Sequence, residues 1–331
     1  MAGRRQKKSG GRSYAWRYRG RIVVCVFVEV IIICALVIMI GWNKGVKEWF
    51  EQFEQPVLKE VDISGINSPN VILMQARGGK ILGEINGEAQ IYPASMTKIM
   101  TVILGIENFD DLDEKITLTN EMFTGLYEQD ATQAGFQPGE EVRVIDLLYG
   151  AMLPSGAECC IALADTISGS EADFAELMNK KARKLGMENT HFCDSTGLHN
   201  PDHYSTVKDI AVLMKYCIKN DTFREIVETS RHSTGVTNIH PDGITYYSTM
   251  FKNLSDPTVT GGKILGGKTG YTSEAGHCLV SFAEIEGREY IFVSAGASGA
   301  DGNTIPHIQD AVTVYNRVGA AIEAKMNNNN K

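Results

Sequence analysis

Residues Ile22 to Ile40 form a 19-residue apolar run broken only by Glu29. It follows an arm, residues 1–21, with eight basic side chains and no acidic one. As a helix rising ~1.5 Å per residue, the run nearly spans a hydrocarbon core of ~30 Å. A cleavable export signal and a buried core helix are the competing readings. The run is longer than a typical signal core, and Met39-Ile40-Gly41-Trp42 offers no small-residue cleavage site. Residues 22–42 therefore read as an uncleaved transmembrane signal anchor. The basic arm stays on the cytoplasmic side, and everything after Trp42 lies outside the cell. The expectation is a single-pass protein of the cell membrane. Glu29 is costly at mid-membrane and could mark a helix–helix partner there.

Of 331 residues, 42 belong to arm and anchor, leaving 289, enough for one large domain or two small ones. The net charge is −8 and the arm carries +8, so the rest carries −16. So acidic an ectodomain argues against nucleic acid as a partner. Cys159, Cys160, Cys193, Cys217 and Cys278 are odd in number and lack C-x-x-C spacing. They read as buried structural thiols, not a disulfide framework. Seven histidines are present, but without H-E-x-x-H or comparable spacing, so no metal or other cofactor is expected.

Residues 43–60 read as an amphipathic stalk. Val71–Gln75 and Ile81–Ile85, flanking Gly78-Gly79, predict a β-hairpin. After Pro93, apolar residues at Met96, Ile99, Met100, Ile103 and Leu104 predict a helix from Ser95 to about Glu107. Val142–Leu153 and Ala157–Ile167 predict two more helices. Ser170-Glu171-Ala172-Asp173 opens another, stopped by Gly186. Residues 190–260 read as loop-rich, with a helix near Val207–Lys219. Cys278–Glu284 and Glu289–Ala295 predict strands around Glu286-Gly287, and Ile305–Ala324 a terminal helix. One domain over residues 61–324 and an unstructured tail over 325–331 complete the plan.

Three short motifs carry the chemistry: Ser95-Met96-Thr97-Lys98, Ser155-Gly156-Ala157 and Lys268-Thr269-Gly270. A serine hydroxyl needs a neighbour to take its proton. Lys98, three residues on from Ser95, lies one helical turn away on the same face. Burial or a nearby like charge would keep it neutral, and Lys268 could supply that charge. The pattern alone is weak. Ser205-Thr206-Val207-Lys208 matches it too, yet Thr206 to Asp209 reads as an ordinary helix cap. Ser155 follows Pro154 in a loop and could relay protons, or it could simply cap the next helix. Lys268 and Thr269 can hold a carboxylate by charge-assisted hydrogen bonds, and Gly270 admits a close ligand. Alone, that stretch could equally be a surface turn.

Taken together, the sequence resembles the D-alanyl-D-alanine carboxypeptidases of the low-molecular-weight penicillin-binding proteins, serine peptidases of the SxxK type. The carriers are Tyr92-Pro93-Ala94-Ser95-Met96-Thr97-Lys98, Met152-Leu153-Pro154-Ser155-Gly156, Thr196-Gly197-Leu198 with His203-Tyr204-Ser205-Thr206, and Gly267-Lys268-Thr269-Gly270-Tyr271-Thr272. The resemblance runs from about Asn70 to Gly319. It implies an α/β, β-lactamase/transpeptidase-like fold with an antiparallel sheet flanked by helices. It also implies removal of the terminal D-alanine from peptidoglycan stem peptides, and binding of β-lactam antibiotics. Ser95 would form the acyl-enzyme, Lys98 act as base and Ser155 shuttle protons. Lys268, Thr269, Gly270, Tyr271 and Gly156 would bind substrate, with an oxyanion hole at the N–H groups of Ser95 and Tyr271. Where the family usually has Asn in its second motif, this chain has Ala157, and reduced or altered turnover is expected. Glu158 could take over that contact, but a carboxylate beside Lys98 would favour the charged amine. A β-lactamase is one alternative, although no E-x-x-L-N loop is found; a wall-binding or β-lactam-sensing protein with weakened catalysis is another.

Overall fold

The computed structural model describes residues 58–254, 256–299 and 305–329. The expected arm, the anchor at 22–42 and the stalk as far as residue 57 lie outside the described residues. Among those described, no helix is long and apolar enough to cross a membrane.

A six-stranded antiparallel sheet organises the rest. Strands β1 (Asn70–Gln75) and β2 (Ile81–Ile85) form the expected hairpin. Two very short two-stranded ladders stand apart from the sheet: β3 (Lys115–Thr117) with β4 (Glu141–Arg143), and β5 (Arg231–Ser233) with β6 (Thr245–Tyr247). The C-terminal part adds β7 (Thr258–Val259), β8 (Gly262–Thr272), β9 (Gly276–Ile285) and β10 (Arg288–Ala297). The spatial order is β2-β1-β10-β9-β8-β7. The first hairpin is thus inserted beside the last strand, with Asn70 opposite Ala295 and Gln75 opposite Tyr290.

Side chains alternate across a strand, and here both faces are covered. Ile72 and Met74 of β1, Val280 and Phe282 of β9, and Ile291 and Val293 of β10 enter the larger core. Val71 and Leu73, Leu279 and Ala283, and Tyr290 and Phe292 enter the smaller one. This is why the strands read as nearly continuous apolar runs.

The larger core is roofed by helices. A 3-10 turn (Ala94–Thr97) leads directly into α1 (Lys98–Asn108), so the expected helix from Ser95 begins as a tighter turn. Then follow α2 (Val144–Met152), α3 (Ala157–Ser168) and α4 (Glu171–Leu185). The expected start of α2 at Val142 is instead strand β4. The Ser170 hydroxyl caps α4 by accepting the Asp173 N–H, and Gly186 ends it in the left-handed conformation, as its sequence predicts. α5 (Val207–Cys217) is capped by Thr206, so the second S-x-x-K match is an ordinary helix start. Asn220 caps α6 (Asp221–Glu228), a helix inside the stretch expected to be loop, and α7 (Thr249–Asn253) precedes the last strands.

The smaller core is covered by α8 (Pro306–Asn329) and by the chain entering the domain. Leu58 is buried there, and the Val61 N–H bonds the Leu82 carbonyl, so the domain starts before residue 61. α8 also runs past the tail boundary expected at residue 325: once its apolar face is docked, each further turn adds backbone hydrogen bonds to an existing helix.

Candidate active site

Two of the motifs, Ser95–Lys98 and Lys268–Gly270, meet where β8 passes the 3-10 turn carrying Ser95. Ala94, just before Ser95, has φ 47°, a left-handed conformation rarely adopted by a residue with a side chain. Ser95 thus sits on a strained turn at the head of a buried helix. Gly270 lets the crossing come close. A Cβ there would lie 3.0 Å from the Ser95 nitrogen and 3.1 Å from the Ala94 Cβ. Gly197 is tighter still: at φ 79° its Cβ would fall 1.9 Å from the Ala94 carbonyl oxygen.

Lys98 is buried, and its Nζ lies 3.1 Å from Ser95 Oγ and 2.6 Å from the Thr196 carbonyl oxygen. Burial lowers its pKa from the ordinary lysine value; Cys160, Asp194, Glu158 and Cys159 push it back up. Lys268 is also buried, with Nζ bonded to the Thr269 carbonyl at 2.9 Å. Its pKa falls well below the ordinary value, first through burial and then through the charge of Lys98. Two amines in one dry pocket resist carrying two protons. The like charge expected to neutralise Lys98 therefore bears on Lys268, while burial is what lowers Lys98.

Thr269 Oγ1 is 2.7 Å from Thr249 Oγ1, which fixes the orientation of the hydroxyl. The Tyr271 ring is exposed and packs on His277, with centroids 4.7 Å apart. Ser155 lies in the loop between α2 and α3, at φ 73° and largely buried. The cap of α3 is Gly156, without a side-chain hydrogen bond, so Ser155 is not a helix cap. Its hydroxyl forms no hydrogen bond among the described residues. Ala157 begins α3 behind this loop, and its N–H bonds the Thr132 carbonyl.

Glu158 does not replace the missing amide. Its Oε1 accepts the Ala134 and Gly135 N–H groups at 2.6 and 2.9 Å, which turns the carboxyl toward that loop, and it forms no hydrogen bond with Lys98. Burial raises its pKa from the ordinary carboxyl value, against the backbone N–H groups that lower it. Cys159, Cys160, Cys217 and Cys278 are buried free thiols, and Cys193 is partly exposed.

Three partners were not singled out from the motifs as site residues: Thr196, Asp194 and His203. Asp194 Oδ1 accepts from Thr196 N–H (2.7 Å), Thr196 Oγ1 (2.7 Å) and Gly197 N–H (2.6 Å). Its Oδ2 lies 3.1 Å from Nδ1 of buried His203, and His203 Nε2 lies 2.9 Å from Thr97 Oγ1. Asp and Thr spaced by one residue before Gly-Leu is a turn signal in sequence. Only folding brings its carbonyl to Lys98.

Comparison with known proteins gives the family and agrees with the fold. The family profile described as D-alanyl-D-alanine carboxypeptidase matches residues 57–299, and the chain belongs to that family. The D-alanyl-D-alanine carboxypeptidase DacF of Bacillus subtilis is 35% identical over 233 residues, covering 69% of this chain and 57% of that protein. DacC of Escherichia coli is 33% identical over 262 residues, covering 72% and 58%. The chain thus spans under two thirds of the length of these curated relatives. The crystal structure of the Streptomyces K15 DD-transpeptidase superposes with TM-score 0.68 at 28% identity, covering 81% of this chain and 99% of that one. A D-alanyl-D-alanine carboxypeptidase from Mycobacterium tuberculosis shares the fold, with TM-score 0.69 at 22% identity.

Proposed function

We propose that this chain is a membrane-anchored serine D-alanyl-D-alanine carboxypeptidase, held by residues 22–42 with its catalytic domain outside the cell. It removes the terminal D-alanine of peptidoglycan stem peptides and is acylated by β-lactams. The observation that carries the reading is the 3.1 Å contact between Lys98 Nζ and Ser95 Oγ in a pocket where burial favours the neutral amine.

In this reading Lys98 takes the hydroxyl proton as Ser95 Oγ attacks the carbonyl carbon of the penultimate residue. The developing oxyanion is met by the N–H groups of Ser95 and Tyr271, worth about 3 kcal/mol per donor. The C–N bond breaks, and the departing D-alanine amine receives a proton through Ser155. Water then attacks the acyl-Ser95 ester and gives its proton to Lys98. The Oγ–C bond breaks, which frees the shortened peptide and restores the hydroxyl. Lys268, Thr269 and the Gly270 backbone hold the terminal carboxylate, which also favours the charged form of Lys268 when substrate binds.

Ala157 supports a second reading, in which acylation is retained but turnover is weak. It offers no amide to the cleft, and Glu158 is committed to another loop. Fluorescent penicillin labelling that vanishes in Ser95→Ala tests the nucleophile. Release of D-alanine from diacetyl-Lys-D-Ala-D-Ala separates the two readings: labelling with release supports the carboxypeptidase, and labelling without release the weakened binder. Rapid nitrocefin hydrolysis would instead indicate a β-lactamase.

A further inference from the structure

A closed ring of hydrogen bonds runs from Lys98 to the Thr196 carbonyl, through Asp194 to His203, and back to Thr97, the residue preceding Lys98. Three of its members, Asp194, Thr196 and His203, come from one loop, residues 194–203. That loop is pressed onto the 3-10 turn so closely that Gly197 admits no Cβ.

The ring matters because of what a neutral lysine must do. A neutral amine has two N–H donors and one lone pair. If one N–H is given to the Thr196 carbonyl, rotation about the last side-chain bond is restricted and the lone pair can face Ser95 Oγ. The carbonyl is itself held from behind, since Asp194 Oδ1 accepts both the N–H and the hydroxyl of Thr196 and the next N–H.

We propose that Asp194 is a positioning residue for Lys98, aiming its amine at Ser95 through the Thr196 carbonyl while placing a fixed negative charge behind it. The proposal rests on reading Ser95 as the nucleophile and Lys98 as its base.

The groups that face Lys98 fit this assignment. Cys159, Cys160 and Glu158 come from α3, Lys268 from β8, and Asp194 and Thr196 from the loop. Burial pushes Cys160 up to about 12 and raises Glu158 from the ordinary carboxyl value. Asp194 is instead held at about 2 by His203, Thr196 and Gly197 against the cost of its burial. Of the acidic neighbours, it is the one whose surroundings favour the anion. That anion opposes deprotonation of Lys98, so its retention fits a role in geometry.

The test is the rate of Ser95 acylation by fluorescent penicillin across pH, in the full chain, for wild type, Asp194→Asn and Asp194→Ala. Asn keeps an oxygen for Thr196 and Gly197 but removes the charge. Its plateau rate should stay near wild type, and its acid limb should move to lower pH, because the carboxylate favouring the ammonium is gone. Ala removes the clamp and should acylate on the order of 10²-fold more slowly, with non-covalent affinity for the antibiotic unchanged. An Asn acid limb that superposes on wild type, or an Ala variant acylated at the wild-type rate, overturns the proposal. If Ala does not fold, the Asn limb decides. A wild type that takes no penicillin overturns the reading of the site itself, and the proposal with it.

Discussion

The two faces of the central sheet are built on opposite terms. Under α8, the smaller core joins Phe292, Tyr290, Val314 and Tyr315, and most of its buried polar groups are partnered, although Ser294 Oγ and His307 Nδ1 have no hydrogen-bond partner among the described residues. Asp310 accepts from the N–H and side chains of Asn67 and Ser68, and the Tyr315 hydroxyl meets Ser281, the Phe292 N–H and the Tyr290 carbonyl. The helical face instead carries two buried lysines and a strained turn, with Glu158 Oε2 left without a partner. Buried charge is costly and strain persists only when the surroundings over-determine it. The helical face, although it holds the larger core, therefore carries buried charge and backbone strain that the rest of the fold must offset.

The sharpest way to break that contrast is Gly197→Ala. It should cut penicillin acylation by on the order of 10²-fold or more by pushing the 194–203 loop off Ala94. A variant labelled at the wild-type rate would mean that the loop does not set the site. On the other face, Phe292→Ala should cost about 3–5 kcal/mol in denaturant unfolding, with the folded fraction still labelled normally. If labelling falls with it, the faces are coupled.

Acid separates them further. Asp194 has its pKa depressed to about 2 in the fold. It therefore adds stability above its unfolded value near 4, and loses it as pH falls from there through 2, about 2 kcal/mol in all. Asp194→Asn should flatten that part of the stability–pH curve, and an unchanged curve would remove Asp194 as its source. The smallest effect is expected at Ser170→Ala. Loss of the α4 cap should cost about 1 kcal/mol and leave acylation untouched; a change in acylation would mean that α4 bears on the site directly.

Much of this was legible in the residues. The capping signals at Ser170 and Thr206 gave their helices, and the apolar run in Cys278–Glu284 gave its strand. The helix expected from Ser95 to about Glu107 was clear because its apolar spacing is strong, but its tight first turn was not, since the left-handed Ala94 lies where the distant Gly197 and Gly270 come close. Helix α6 was missed because its eight polar-rich residues follow α5 after a break of three. Only its Phe223, Ile226 and Val227 are buried, so few apolar residues marked it.

Local pattern thus picked out the candidate motif residues and determined how Ser95 and Lys98 stand to each other, because one helical turn fixes that spacing. Tertiary structure alone decided the rest. It set Lys98 under the Thr196 carbonyl, turned Glu158 away, and brought Lys268 into the same dry pocket from 170 residues along the chain. Those relations depend on desolvation and on backbones touching where no side chain fits, and neither is written in the order of residues.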